Sequence, residues 1–221
     1  MPDAEFSSPD APVAPEAATP VRKRPKPGER RVQILQALAT MLEQPGAERI
    51  TTAALAARLE VSEAALYRHF ASKAQMFEGL IEFIEQSVFT LVNQIMEREP
   101  AGGEQEADAG VRQAAKTVAM LLQFAEKNPG MTRVMVGDAL VFENERLQQR
   151  MNQFFDKIES TLKQSLRTAA DGDGSATPSL DAQVRASMLT AFVVGRLQRF
   201  ARSGFKRAPS EHLEASLARM L

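Results

Sequence analysis

The sequence predicts an all-α fold of about nine helices, in which a three-helix head bearing a helix-turn-helix sits on a helical regulatory and dimerisation domain. Three stretches carry that expectation. Residues 50–77, ITTAALAARLEVSEAALYRHFASKAQMF, read as two short helices at a sharp turn with a third starting straight after. From Lys73 to about Arg98, the residues Phe77, Leu80, Ile81, Ile84, Val88, Leu91 and Ile95 form one apolar stripe over about seven turns. Two further long amphipathic segments, about Glu143 to Ala169 and about Asp181 to Ser203, supply most of a helical body.

Residues 1–27 are rich in Pro, Ala, Ser and acidic side chains, without helical or strand period, and are expected to form a disordered tail. Asp3, Glu5, Asp10 and Glu16 come first; Arg22, Lys23, Arg24, Lys26, Arg30 and Arg31 then crowd the entrance to the first helix. Such a cluster serves either as solvated charge or, beside a helix-turn-helix, as a flexible arm for DNA phosphates or a minor groove. The first helix should run from about Glu29 to Glu43, turning Ile34, Leu35, Leu38, Met41 and Leu42 toward the helix-turn-helix, and Pro45-Gly46 should end it.

Within the helix-turn-helix, Leu55, Leu59, Val61, Leu66 and Phe70 supply the apolar contacts between the arms. Thr51 or Thr52 suits the N-cap of the first arm and Ser62 that of the second, while Ser72 with Gln75 fits a capping box that opens the next helix near Lys73. With Leu66 and Phe70 inward, the helical period turns Glu63, Ala64, Tyr67 and Arg68 outward. That face is small at its start and aromatic or basic further on. It suits a major groove, with the first residues at base edges and later ones at phosphates. The same spacing also serves an ordinary three-helix packing unit, and spacing alone leaves both readings open. The expected division is a tail over 1–27, a DNA-binding head over 28–76 and a regulatory and dimerisation domain over 77–221.

Beyond the long fourth helix, residues 99–104 read as a loop, and a fifth helix from about Val111 to Lys127 is apolar at Val118, Met120, Leu121, Leu122 and Phe124. Asn128 suits an N-cap and Pro129 the first position of a sixth helix. In the segment from Glu143, Leu147, Met151, Phe154, Ile158, Leu162 and Ser165 fall near heptad spacing. Too few heptads are clean for a coiled coil to outweigh plain core packing. DGDGSATPS at 171–179 is a linker whose acidic pair lacks the downstream Glu of a calcium loop. In the next helix Ser187, Ala191 and Gly195 form a line of small residues beside Val184, Met188 and Phe192. Two copies of this helix, with a last helix near Pro209 to Met220, could make a symmetric dimer, although such lines also occur inside monomer cores. A two-fold dimer would set two recognition helices about 34 Å apart on a near-palindromic site.

The totals restrict function more by what they lack. The 221 residues are 44% hydrophobic and 25% charged, an ordinary globular composition, and the formal net charge of −1 requires any basic surface to be local. No apolar run approaches the ~18 residues of a membrane span, and the N-terminus lacks the apolar core of a secretory signal. With no cysteine, disulfides and thiolate chemistry are excluded. Only His69 and His212 are available for proton relays or metal binding, and no glycine-rich phosphate loop occurs. Neither an enzyme nor a metal or other cofactor is expected, and a cytoplasmic location is.

The stretch ITTAALA…VSEAALYRHFASK resembles the DNA-binding motif of the TetR-type regulators, through Leu66, Tyr67, His69, Phe70 and Lys73. The resemblance implies that Tyr67, His69 and Lys73 hold phosphates together with Thr51 and Thr52, while Ala64, Ala65 and their neighbours meet bases; Ser62 and Arg68 complete the candidate DNA-facing set. Glu60 stands where such turns usually carry Gly. The default for this head is a repressor released by a small molecule. LIEFIEQSV, FAEKNPGMTRVMVGDALVFENERLQQRMNQFFDKIE and RFARSGFKRAP, however, resemble the nucleoid occlusion factors within that group. This narrower resemblance implies a nucleoid-associated homodimer in a bacterial cytoplasm that binds double-stranded DNA, antagonises the tubulin-like division protein FtsZ and so blocks ring assembly over the chromosome. It also implies a partner surface at Phe83, Lys127 and Asn128, with Lys127 in place of a usual Arg, Gln123 in place of Gly and Leu91 in place of Arg. The candidate dimer surface is Ser187, Met188, Ala191 and Gly195. A third possibility from the residues alone is a coiled-coil scaffold in which the head merely packs.

Overall fold

The protein is described here by a computed structural model covering residues 28–44, 50–98, 106–172 and 174–221. The tail and arm expected over 1–27, the stop at Pro45-Gly46 and the loop at 99–104 lie outside those residues. The described chain contains α1 (Glu29–Leu42), α2 (Thr52–Arg58), α3 (Glu63–Tyr67), α4 (Lys73–Arg98), α5 (Glu106–Lys127) and α6 (Pro129–Met135). A single 3-10 turn at Asp138–Leu140 leads to α7 (Glu145–Gly172), α8 (Pro178–Arg202) and α9 (Leu213–Leu217). Among the described residues there is no strand.

Local chemistry explains the boundaries. Thr51 caps α2 by accepting from the Ala54 N–H at 3.1 Å, and Ser62 caps α3 by accepting from the Ala65 N–H at 3.3 Å. Ser72 accepts from the Gln75 N–H at 3.2 Å while Gln75 reaches back to the Ala71 N–H at 2.8 Å, so α4 opens at Lys73 as the box predicts. Between α2 and α3 the Val61 N–H meets the Ala56 carbonyl and the Glu60 N–H that of Ala57, a Schellman closure. Its left-handed position is Glu60, at φ 54°. A non-glycine residue there costs about 1–2 kcal/mol of backbone strain.

One continuous core runs from head to body, and α4 carries it. Met76, Phe77, Leu80, Ile81, Ile84, Val88 and Val92 are all buried along one side of this helix. The expected stripe is right up to Val88 and drifts beyond it. Leu91 is 37% exposed and Ile95 half-buried, while Val92 is buried and Met96 packs against the core. A straight α-helix drifts against a seven-residue repeat, so a stripe extrapolated at fixed spacing leaves the buried side after several turns. Alpha1 lies against the first half of α4 and α2 against α1 and α3, with Leu55 beside Met76 and Phe77 and Phe70 beside Gly79; α5 and α7 also lie against α4, and α8 against α7. The α7 stripe Leu147, Met151, Phe154, Ile158, Leu162 and Ser165 is buried as expected, within this single chain.

Three boundaries differ from the sequence reading. Alpha5 starts five residues early because Ala109 and Gly110 are buried small residues with no apolar signature; a Cβ on Gly110 would lie 2.2 Å from the Ser165 carbonyl oxygen of α7. Alpha8 starts at Pro178, inside the expected linker, since proline fits the first helical position. The last helix is only Leu213–Leu217, entered from His212 in the left-handed region at φ 55° with no side-chain cap.

Gly130 fixes how the head meets the body. A Cβ there would fall 1.9 Å from the Ala39 carbonyl oxygen of α1, and two backbones cannot yield as a flexible side chain would. Gly130→Ala should lower stability by about 1–3 kcal/mol. That corresponds to roughly 2–12 °C in the melting midpoint of a chain this long. An unchanged melt would show that α1 and α6 are not so closely apposed.

Candidate nucleic-acid interface

Alpha3 presents a short outward face on a rigid back. Leu66 and Phe70 are 0% and 1% exposed, whereas Glu63, Ala64, Tyr67, Arg68 and His69 all face solvent and Ala65 is half-buried. Tyr67, at 45%, is the chain's only tyrosine and one of its more exposed large side chains. Thr51 and Thr52 at the start of α2 and Lys73 at the start of α4 line one shallow, tightly packed depression with Leu38, Ile50 and Phe77. Three of the five residues expected to grip phosphates, Thr51, Thr52 and Lys73, are thus gathered at the adjoining ends of two helices, while Tyr67 and His69 belong to α3 and the turn after it.

Three contacts in this region have no local signature in the sequence. Thr52 donates to the Glu63 carboxylate at 2.5 Å, tying the first turn of α2 to the first turn of α3. Arg31, expected in the basic arm, instead donates to the His69 carbonyl at 3.2 Å and stacks 4.3 Å above the Phe70 ring. It closes the C-terminal end of α3, where last-turn carbonyls lack intrahelical donors. Lys73 is ion-paired with Glu143, just ahead of α7, and its ammonium lies 5.7 Å from the Phe77 ring centre. About three turns further along α4, Arg150 of α7 meets Glu85 at 2.7 Å. The hydrogen bond from Arg150 to Glu85 raises the guanidinium above its ordinary pKa against the opposing effect of burial, and Glu82 and Glu78 add to the rise.

The other candidate residues occupy two separate surfaces. Phe83 is 37% exposed on the outer side of α4, off the buried stripe, and Lys127 is exposed at the end of α5. Asn128 holds the N-cap position of α6, yet its side chain makes no capping bond. It donates back to the Phe124 carbonyl at 2.8 Å, finishing α5 instead. On α8, Ser187, Met188 and Ala191 are exposed and Gly195 is half-buried with open space where a Cβ would stand. Leu180 at 61%, Val184 at 51% and Met188 at 51% extend that face into an apolar stripe at four-residue spacing that nothing in the single chain covers. The small-residue line therefore lies outside the monomer core.

Comparison with known proteins matches this geometry. Residues 34–80 fit the model described as bacterial regulatory proteins, tetR family, and residues 109–220 fit the model described as tetracyclin repressor-like, C-terminal domain. The nucleoid occlusion factor SlmA of Aliivibrio fischeri (strain MJ11) is 52% identical over 189 residues, covering 85% of this chain and 92% of that protein. That of Idiomarina loihiensis is 50% identical over 186 residues, covering 84% and 90%. The chain belongs to the SlmA family of TetR-type regulators. Solved structures of lower identity share the SlmA-like architecture. FadR of Bacillus subtilis, solved with stearoyl-CoA, superposes with a TM-score of 0.67 at 13% identity over 86% of this chain and 96% of its own. FadR of Bacillus halodurans gives 0.67 at 16% identity over 89% and 96%.

Removing the Arg31 guanidinium should loosen the end of α3. Arg31→Ala should speed amide hydrogen exchange over residues 66–70 by about tenfold, corresponding to loss of one hydrogen bond and one ring contact worth roughly 1–2 kcal/mol. Exchange confined to its wild-type rate would mean that α3 stands without this support.

Proposed function

We propose that the protein is a sequence-specific DNA-binding homodimer that acts in nucleoid occlusion, inhibiting division over the chromosome by antagonising FtsZ ring assembly. The observation that carries this reading is identity near 50% to nucleoid occlusion factors that extends through the body as well as the head. Heads of this type serve many regulators, but the body determines what a DNA-bound dimer does next. Residues 28–76 form the reading head in this proposal, 77–221 the regulatory and dimerisation part, and the protein resides in the cytoplasm on the nucleoid.

In the DNA complex, Ala64 and Ala65 approach base edges with Ser62 at the helix start, while Thr51, Thr52, Tyr67, Arg68, His69 and Lys73 meet backbone oxygens. The exposed face of α8 at Ser187, Met188, Ala191 and Gly195 pairs with its copy about a two-fold axis, giving the two heads a fixed spacing. Phe83 with Lys127 and Asn128 offers FtsZ an exposed ring, a cation and an amide on adjoining helices. Release by a small apolar ligand finds less support. The cleft between α4, α5 and α7, about 320 Å³, is lined by Asn93, Gln113, Gln164, Ser165 and Thr168 as well as by Phe89 and Met96. That is not the mostly apolar lining a greasy ligand favours.

Tyr67→Ala and Lys73→Glu should each weaken binding to a duplex selected from a random pool by tenfold or more, the scale of a lost hydrogen bond to a charged group. Tyr67→Ala should melt as the parent does, whereas Lys73→Glu, which sets a second carboxylate beside the mostly buried Glu143, should melt lower; wild-type affinity in both variants would refute the assignment. Ala191→Arg should convert the protein from two chains to one in light scattering and lower DNA affinity by roughly a hundredfold through lost bivalency. An unchanged mass would place the dimer contact elsewhere. Operator DNA carrying the protein should retain FtsZ, and Phe83→Ala should abolish retention while leaving DNA affinity intact; no retention by the parent protein would remove the division reading.

A further inference from the structure

Lys73, read above as a phosphate contact, already has a partner in this structure. Its ammonium is paired with Glu143, whose side chain is 10% exposed against 30% for Lys73. Both ends of the pair are held. The Glu143 N–H bonds to the Leu140 carbonyl at 3.0 Å. The next residue, Asn144, accepts from the Arg146 N–H through its side chain at 3.0 Å and from the Leu147 N–H through its carbonyl at 2.9 Å, locking the start of α7. The Lys73 ammonium lies 5.7 Å from the Phe77 ring centre, and about three turns further along α4 the Arg150–Glu85 bridge joins that helix to α7. Glu143 is therefore presented to Lys73 by a fixed scaffold, not by a loose surface side chain.

We propose that Glu143 is a further determinant of DNA binding: a carboxylate that competes with the DNA backbone for Lys73 and so sets how strongly, and with what salt dependence, the head holds any duplex. The inference rests on the reading of Lys73 as a phosphate contact. A carboxylate and a phosphate oxygen are alternative partners for one ammonium. When Lys73 turns to DNA, a mostly buried Glu143 loses its cation, and that loss subtracts from the binding energy. Fewer net ions are released as well, because the lysine exchanges one anion for another. Phosphate contacts carry no base information, so the restraint acts on specific and random duplexes alike. Its effect is to lower the sequence-independent hold that would otherwise spread the protein over the whole chromosome.

The test is a double-mutant cycle on the full chain with Glu143→Gln, Lys73→Gln and both changes together. Anisotropy across a salt series would follow one duplex selected from a random pool and one random duplex of equal length. Glu143→Gln should tighten both about threefold to fivefold, the scale of a partly exposed ion pair. It should also steepen the logarithmic salt slope by about one. Lys73→Gln should weaken both duplexes, and in that background Glu143→Gln should change nothing. Unchanged or weaker binding by Glu143→Gln, with Lys73→Gln still weakened, would overturn the competition while leaving Lys73 as a phosphate contact. Tightening that persists without Lys73 would overturn it too, and wild-type affinity in Lys73→Gln would remove the phosphate reading itself. A destabilised head loses affinity, so tightening cannot arise from misfolding; should Glu143→Gln fail to fold, Glu143→Asp, one methylene shorter, should tighten binding in the same direction.

Discussion

The buried side of α4 is the constraint on which the other elements depend. Each large side chain fully buried there contributes about 1.5–3 kcal/mol of burial free energy. The row from Met76 to Val92 belongs to the head at one end and to the body at the other. No break in packing separates the two: a single core runs from Ile34 in α1 to Leu197 in α8. A displacement of α4 in the body must therefore move the first arm of the helix-turn-helix. Close packing makes the core resist such movement continuously and favours discrete rearrangements. Gly130 lies against the Ala39 backbone where α6 meets α1, and Arg150 meets Glu85 where α7 crosses α4.

The surface proposed to face DNA is small, and its rigidity comes from behind. Alpha3 has five residues, far below the length at which a helix stands alone in water. Ser62 supplies one end, Arg31 closes the other, Leu66 and Phe70 anchor the middle, and Thr52 fastens Glu63. What remains free are Ala64, Tyr67 and Arg68. A helix so held can lie in a groove with little further loss of conformational freedom on binding. The strain at Glu60 is tolerated because the Schellman bonds of Val61 and its own N–H over-determine the turn.

Much of this was legible in the sequence, for identifiable reasons. Caps such as Thr51, Ser62 and the Ser72–Gln75 box act within four residues, so their signature is local and complete. The stripe of α7 recurs every three or four residues, and every position expected to be core is core. The misses have physical causes as well. Leu91 was misassigned because fixed spacing was carried too far along a helix with its own period. Arg31 read as part of a basic run, although its partners lie 38 residues ahead, and Glu143 lies 70 residues beyond Lys73. Nothing in a single sequence marks pairs so distant. Asn128 has the right position for a cap but spends its amide on the helix before it, a choice set by geometry and not by residue type. The exposure of Ser187 and Ala191 likewise needed coordinates, since a line of small residues fits a core and an interface equally well.

In the proposed complex a face around Tyr67 is offered twice, in fixed register, to one duplex. Hydroxyl-radical footprinting of the full chain on a duplex selected from a random pool reads that directly. Two protected patches on one side of the helix, centred about one turn or ~34 Å apart and symmetric about the site, are the expected result. A single patch, or protection spread evenly along the duplex, would contradict it.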